Sequence, residues 1–503
     1  MTAPSNGSRR VTLGLCVLVP LCLWSLGLLR VPRFMSDDFI FIVDNHASWL
    51  SVWTRDSYQA AGFDGAPAVV YRPLGVALLS SLRGVLGTSS PLPYRALALV
   101  LHALNAGLLA LWLSRLGLRV RAAAAAAALW AVMPIHAEAL GWAVALFDVA
   151  SSSALLGALT LTASRGTGLR TTVVACFLGA VLIKESTLLG AFALWATLVA
   201  SAGRPVRWNR IAWQTALLVS LCLGYLTVRQ AVGVSPPIKL PFAFGALLTS
   251  LGEGFARAVG LAPYVPAAGS PLHSPTWLGL TSLIAVVALA LVAVLVRARI
   301  MAPVLCLGAI AAGQILFGQS ETGFLVDPDR YFYLTAAIVP VAAVTVATAA
   351  SATKPSLKLP VPVLLFLFFG LFGFWSWAAA IAVADYDDFE HMLSREITIG
   401  RASGYVCFLR GIERLKRHDP CSAALDFERS AALEPNPDRR QQAYEFAARA
   451  RRACHASRSL FGHAPSGRRC GLPCVLCGDG EPYRVVHVCS RLERRRSPEP
   501  VPL

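Results

Sequence analysis

The sequence predicts an all-α protein: a polytopic transmembrane helical bundle of about eleven spans, followed by a small α-helical segment. Three observations predict it. Hydrophobic residues make up 56% and charged residues only 15% of the 503 residues, and the mean hydropathy is +0.59. Apolar runs suited to crossing a bilayer recur between residues 11 and 383. These runs are rich in Leu, Ala and Val and lack the alternation of barrel strands, so helices are how their backbone is satisfied in lipid.

The first run, Val11 to Leu29, follows Arg9 and Arg10. Arg30, Pro32 and Arg33 stand where a cleaved signal would carry small residues, so this run reads as a retained first helix. Short basic segments then alternate with the apolar runs: Arg115/Arg119/Arg121, Arg165/Arg170, Arg204/Arg207/Arg210, Arg297/Arg299 and Lys354/Lys358. Placed on the cytoplasmic side with Arg9 and Arg10, they imply helices near 11–29, 95–114, 122–135, 146–163, 171–184, 186–202, 212–228, 276–296, 300–318, 333–352 and 360–383. The N-terminus is then cytoplasmic and the C-terminal segment extracytoplasmic. Outer segments fall at 30–94, near His136, at 229–275 and at 319–332. The net charge of +17 follows from the basic loops and the final fifty residues, which suit anionic lipid; it argues for no nucleic-acid partner.

Ionisable groups at a membrane edge are costly and mark candidate sites. Six stretches carry them: Asp37-Asp38 with Asp44-Asn45; "YRPL" from Tyr71; "LHALN" from Leu101; "PIHAEALGWAVALFD" from Pro134 to Asp148; Lys184-Glu185; and "DPDRYFYL", with Asp327, Asp329, Arg330, Tyr331 and Tyr333. Each also has a plainer reading. The tandem acid suits a solvated loop, and His102 and Asn105 share a helix face that can bond a neighbouring helix. Lys184 and Glu185 suit mutual neutralisation, although adjacent residues do not face each other on a helix. His136 and Glu138 lack the second histidine of a zinc helix, so no metal is assigned there. Taken together, the stretches describe a cation-lined outer cavity beside carboxylates. Arg72, Lys184 and Arg330 are suited to a phosphate, and a nearby carboxylate can take a proton from an attacking hydroxyl. That chemistry is group transfer from a membrane-borne phosphate ester.

The order of "DDxxxxxxDN", "YRPL", "LHALN", "PxHxEAxxW…D", "KE" and "DRYxYL" resembles the transmembrane and tetratricopeptide-repeat O-mannosyltransferases, members of the GT-C glycosyltransferases. The resemblance implies transfer of a sugar, mannose among the candidates, from a polyprenyl-phosphate-linked donor to an acceptor protein or glycan on the extracytoplasmic face. It implies that Asp37 or Asp38 is the catalytic base, with Asp37 favoured by position. Arg72 within Tyr71–Leu74 would bind donor phosphate, with Lys184 and Arg330. It makes Asp44, Tyr71, His136, Glu138, Trp142, Asp148, Glu185 and Tyr331 substrate-site candidates. No cofactor is implied, and a divalent metal stays open. Two departures stand out: Met133 replaces the family's first histidine, and Leu146 replaces the arginine two residues before Asp148. The rival reading is a non-catalytic transporter or scaffold that binds lipid carrier or partners through its tail. The bias toward Arg and Ala leans bacterial, which makes the membrane the inner one and the outer face periplasmic.

Three regions follow: a membrane domain over 1–383, a soluble helical segment over 384–456, and a Cys/Arg/Pro-rich disordered tail over 457–503. Residues 404–437 fit one tetratricopeptide-like unit, with Gly411, Ala423, Phe427, Ser430 and Pro435 at small, aromatic and breaker positions. Cys407, Arg410 and Arg414 miss three others. One such unit cannot bury its own face, so it needs a neighbour to pack on. Seven of the twelve cysteines lie beyond residue 384. Outside the cytoplasm, a disulfide is expected among Cys407, Cys421 and Cys454. Cys470, Cys474, Cys477 and Cys489, near His487, have a spacing that hints at zinc, but the second CxxC pair is lacking and oxidised pairs are the preferred reading.

Overall fold

The computed structural model describes residues 14, 24, 34, 38–43, 45–62, 70–164, 170–202, 208–234, 244–260, 276–322, 329–353, 361–384, 389–398, 404–434 and 437–461. Among them the chain is helical throughout, with no strand. It divides into two compact units, one over Met1–Ala268 and Leu272–Asp387, the other dominated by Asp388–Leu503.

In the first unit, α1 (Trp49–Thr54) and the single turn Ser57–Ala60 precede α2 (Pro73–Leu86) and α3 (Leu92–Leu116). Helix α3 begins among prolines and ends where Gly117 takes φ 109, returning its N–H to the carbonyls of Leu113 and Ser114. Helix α4 (Val120–Ala131) stops ahead of Pro134 because Met133 is forced into extended backbone, φ −64 and ψ 134. The chain resumes as a turn of 3₁₀ helix, Pro134–His136, and α5 (Ala137–Gly141), bent 57° from α4. Then come α6 (Leu146–Thr162), α7 (Thr171–Ile183), α8 (Gly190–Ser201) and α9 (Trp208–Ala231). The unit continues through α10 (Phe244–Ala258), α11 (Thr276–Cys306), α12 (Gly308–Thr322), α13 (Ile338–Thr353) and α14 (Val361–Ala384).

Most of these match the runs expected from hydropathy. Helices α1, α2 and α10 do not, because they lie in segments expected to be outer loops, and α4 stops at Ala131, short of the expected end at residue 135. The expected basic turn at Arg297/Arg299 is a kink instead. Helix α11 runs through it, with Arg297 alone leaving helical geometry at φ −149 and ψ 58.

Four helices among the described residues are long and apolar enough to cross a membrane, or five if the bent pair α4–α5 is one span. Their sequences are Leu92–Leu116, Ala143–Thr162, Trp208–Ala231 and Gly279–Ile315. Several shorter apolar helices fall below that length, among them α2, α7 and the Glu185–Ser201 stretch. Helices α9 and α11 turn large apolar side chains outward, including Trp213 at 73% and Leu295 at 87% exposure. Such faces fit lipid rather than water. This is a helical membrane protein.

The second unit holds α15 (Phe389–Thr398), α16 (Gly404–Lys416), α17 (Pro420–Leu433) and α18 (Pro437–Phe461). Its core is three aromatic rings, Phe408, Phe427 and Phe446, with centroids 5.2–5.3 Å apart. Around them pack Ala423, Ala424, Ala447 and Ala450. Gly411 is small for a reason: a Cβ there would come within 2.8 Å of the Phe427 ring. A disulfide joins Cys421 of α17 to Cys454 of α18, while Cys407 is buried as a free thiol. Cys470, Cys474, Cys477, Cys489 and His487 lie outside the described residues.

Candidate functional site

Two helix breaks build the site. Pro134 ends α4, and Lys184, in extended backbone at φ −150 and ψ 115, ends α7 before a 3₁₀ turn over Glu185–Leu189. At an extended residue, consecutive side chains point apart. Lys184 therefore reaches Asp148 of α6, while Glu185 turns to Arg72. The two do not neutralise each other.

Arg72 meets Glu185 through two bonds, Nε to Oε2 at 2.6 Å and Nη2 to Oε1 at 2.7 Å, the forked geometry that distinguishes Arg from Lys. Its position is prepared upstream. Asp56 accepts the Val70 and Tyr58 amides at 2.7 and 2.9 Å, and Ser57 Oγ accepts the Arg72 amide at 2.7 Å. Burial pushes the Asp56 carboxyl up, against the lowering effect of those amides. Tyr71 is buried beside them; its hydroxyl donates to the Trp53 carbonyl, and its own carbonyl accepts from Tyr225. Gly75 lets α2 sit against the end of α7, since a Cβ would lie 2.6 Å from the Ile183 carbonyl oxygen.

The third cation, Arg330, donates from its backbone to Glu138 Oε2 at 3.0 Å and from Nη1 to Oε1 at 2.7 Å. Its guanidinium lies 4.2 Å from the Trp142 ring centroid, and Lys184 lies 5.4 Å from that of Tyr331. Arg72 and Arg330 both act electrostatically on Lys184, so the three pairs form one network. Three cations and three carboxylates leave it near neutral. Such pairing is what permits charge to be withdrawn from water.

Lys184, Arg330 and Asp148 line a small polar cavity with Ser151, Ser152, Thr187, Gln314, Tyr331 and Tyr333. It offers about 10 Å³ to the centre of a water-sized sphere, room for about one water molecule.

Comparison with known proteins returns no match. Neither a family model, nor a curated protein, nor a solved structure aligns with the chain.

Of the remaining candidates, Asp38 is fully buried, and its Oδ1 accepts the Val144 amide at 2.7 Å. This ties it to the turn between Trp142 and Leu146, but it does not line the cavity. Asp37 and Asp44 lie outside the described residues, as does Asp327. His136 stands in a buried network behind the cavity. His102 bonds the Ala131 carbonyl through Nε2 at 2.9 Å and the Tyr333 hydroxyl through Nδ1 at 2.7 Å. The carbonyl can only accept, so Nε2 carries the proton and Tyr333 donates to Nδ1. Asn105 donates to that hydroxyl at 3.1 Å, and His136 Nε2 donates to the Trp130 carbonyl at 2.7 Å. Trp24, from the first apolar run, closes on the same network through the Ala131 carbonyl.

No group of three or more His, Cys, Asp or Glu among the described residues is arranged to hold a metal. Sequence reasoning missed Asp56, Ser57, Arg95 and Gln314. Arg95 is buried and donates to the Gly141 carbonyl at 2.7 Å, bracing α5. The signal for Asp56 was present as an N-cap residue before a helical turn. Gln314 was legible only as one amide within an apolar run.

Proposed function

We propose that the protein is an integral membrane glycosyltransferase of the GT-C type, moving a sugar from a polyprenyl-phosphate donor to an acceptor hydroxyl on the extracytoplasmic face. One observation carries this reading: Arg72, Lys184 and Arg330, separated by more than two hundred residues, gather in one partly buried network beside a small cavity. In the reaction the bond from the anomeric carbon to the donor phosphate oxygen breaks as the bond to the acceptor oxygen forms. The acceptor proton passes to Asp37 or Asp38, and the phosphate leaves as an anion stabilised by the cations. Glu185, Asp148 and Glu138 hold those cations in their unliganded positions and yield them as phosphate enters. The eleven-span topology, a cytoplasmic N-terminus and a tetratricopeptide-like role for α16–α17 belong to the same reading.

The test is transfer of labelled sugar from a polyprenyl-phosphate hexose in membranes. Asp37→Asn combined with Asp38→Asn abolishes transfer at unchanged expression; undiminished transfer overturns the assignment. The complete pairing of the three cations, and a cavity of one water's size, favour a second reading as a non-catalytic carrier-lipid binder. Donor binding without transfer to any acceptor would select it.

A further inference from the structure

We infer that Gln314 is a hydroxyl-binding residue that distinguishes a sugar-bearing carrier from the bare polyprenyl phosphate. The inference rests on the glycosyltransferase reading and adds the part of the ligand that the cations cannot recognise.

Gln314 lies on α12 and is 6% exposed. Gln314 lines the cavity; its Nε2 donates to Ser186 Oγ at 2.8 Å, and its buried Oε1 has no partner among the described residues. Buried amide oxygens are usually bonded, so an unmatched one on a cavity-lining residue points to an occupant that can donate to it. The neighbouring hydroxyls narrow its chemistry. Ser151 donates to the Asp148 carbonyl at 3.1 Å and Thr187 to the Lys184 carbonyl at 2.6 Å. With their protons so engaged, both turn only lone pairs to a ligand.

This part of the wall therefore offers acceptors, whereas Lys184 and Arg330 offer donors. A fully ionised phosphate has no hydrogen for Gln314, Ser151 or Thr187, and a carboxylate has none either. A polyhydroxylated group joined to a phosphate satisfies both sets at once. A hydroxyl also serves whichever way the Gln314 amide is turned, because it donates and accepts. In the closed cavity the space admits one water or one hydroxyl, so the sugar enters as the ion pairs part.

The full-length protein in lipid nanodiscs is titrated with polyprenyl phosphate and, separately, with polyprenyl-phosphate hexose. Wild type binds the hexose-bearing carrier more tightly. Gln314→Leu, which removes the unmatched oxygen without removing bulk, weakens hexose-carrier binding about tenfold and changes bare-carrier affinity less than about twofold. Gln314→Glu, which keeps an acceptor, retains the preference. Unliganded Gln314→Leu loses the bond to Ser186 Oγ together with the unmatched oxygen, so its melting temperature should stay within a few degrees of wild type. An unchanged preference in Gln314→Leu, with wild type binding both lipids, overturns this inference alone. Equal weakening toward both lipids, with a lower melting temperature, makes Gln314 a structural residue and overturns it too. Wild type that binds neither lipid removes the glycosyltransferase reading and this inference with it.

Discussion

The two units solve the same problem, a partly buried arginine, in different ways. In the second unit Asp426 takes two arginines. Arg410 bonds it through Nη2 at 2.6 Å and Nε at 2.9 Å, and Arg414 reaches it at 3.1 Å while also holding Glu390 at 2.9 Å. These charges tie α15, α16 and α17 together. At the candidate site of the first unit Arg72, Lys184 and Arg330 each have their own carboxylate, and Lys184, Asp148 and Arg330 line a cavity. The tail network is exchange-free packing in which cations are shared. The network at the candidate site pairs one cation with one carboxylate. Pairing shows only that burial is tolerated; the unmatched Gln314 oxygen and the cavity separate a candidate site from a staple.

The contrast can be broken at its strongest point first. Lys184→Met leaves Asp148 buried without its cation and should lower stability by about 3–5 kcal/mol, read as thermal unfolding in detergent. Adding Asp148→Leu should restore most of that loss; if the double variant is as unstable as the single one, the pair is not what holds α6 to the end of α7. Next, Cys421→Ser with Cys454→Ser opens a loop of 33 residues and should destabilise the second unit by about 3–4 kcal/mol. Limited proteolysis of the full chain should show cleavage confined to α15–α18, with reductant reproducing it on wild type.

Smaller effects sharpen the comparison. Gly75→Ala pushes a methyl against the Ile183 carbonyl and should cost about 2 kcal/mol. Because that contact sets the Arg72–Glu185 pair, carrier affinity should fall along with the melting temperature; a drop in stability alone would detach Gly75 from the site. Asp426→Asn keeps a hydrogen-bonding side chain but loses the charge, and should remove about 1.5 kcal/mol from the second unit. Carrier binding should be untouched, and any change there would erase the functional distinction between the two networks.

Helix positions were readable because lipid demands long apolar runs, and α3, α6 and α9 fall where hydropathy puts them. The failures have physical causes. Helices α2 and α10 carry polar or ionisable residues such as Arg83, Glu253 and Arg257 and so read as loops. Arg257 is buried all the same, held by Asp329 at 2.5 Å and near Glu253. The expected basic turn at Arg297 became a kink because one residue's departure from helical geometry suffices to bend a helix. In the tail, Arg410 and Arg414 looked like departures from a repeat; Asp426 gives both a buried partner.

By itself the sequence determined that the chain is a helical membrane protein and which ionisable residues stand out in apolar surroundings. Composition suffices for that, since long apolar runs with few charges leave helices in lipid as the way to satisfy their backbone. Only the tertiary structure decided which charge meets which. Lys184 and Glu185 adjoin in sequence yet serve different partners, and Asp148, without an arginine two residues before it, is matched by a lysine 36 residues later. Gln314 gained its interest the same way. An amide in an apolar run is only a polar residue until packing lines a cavity with it, bonds one of its ends and leaves the other unmatched.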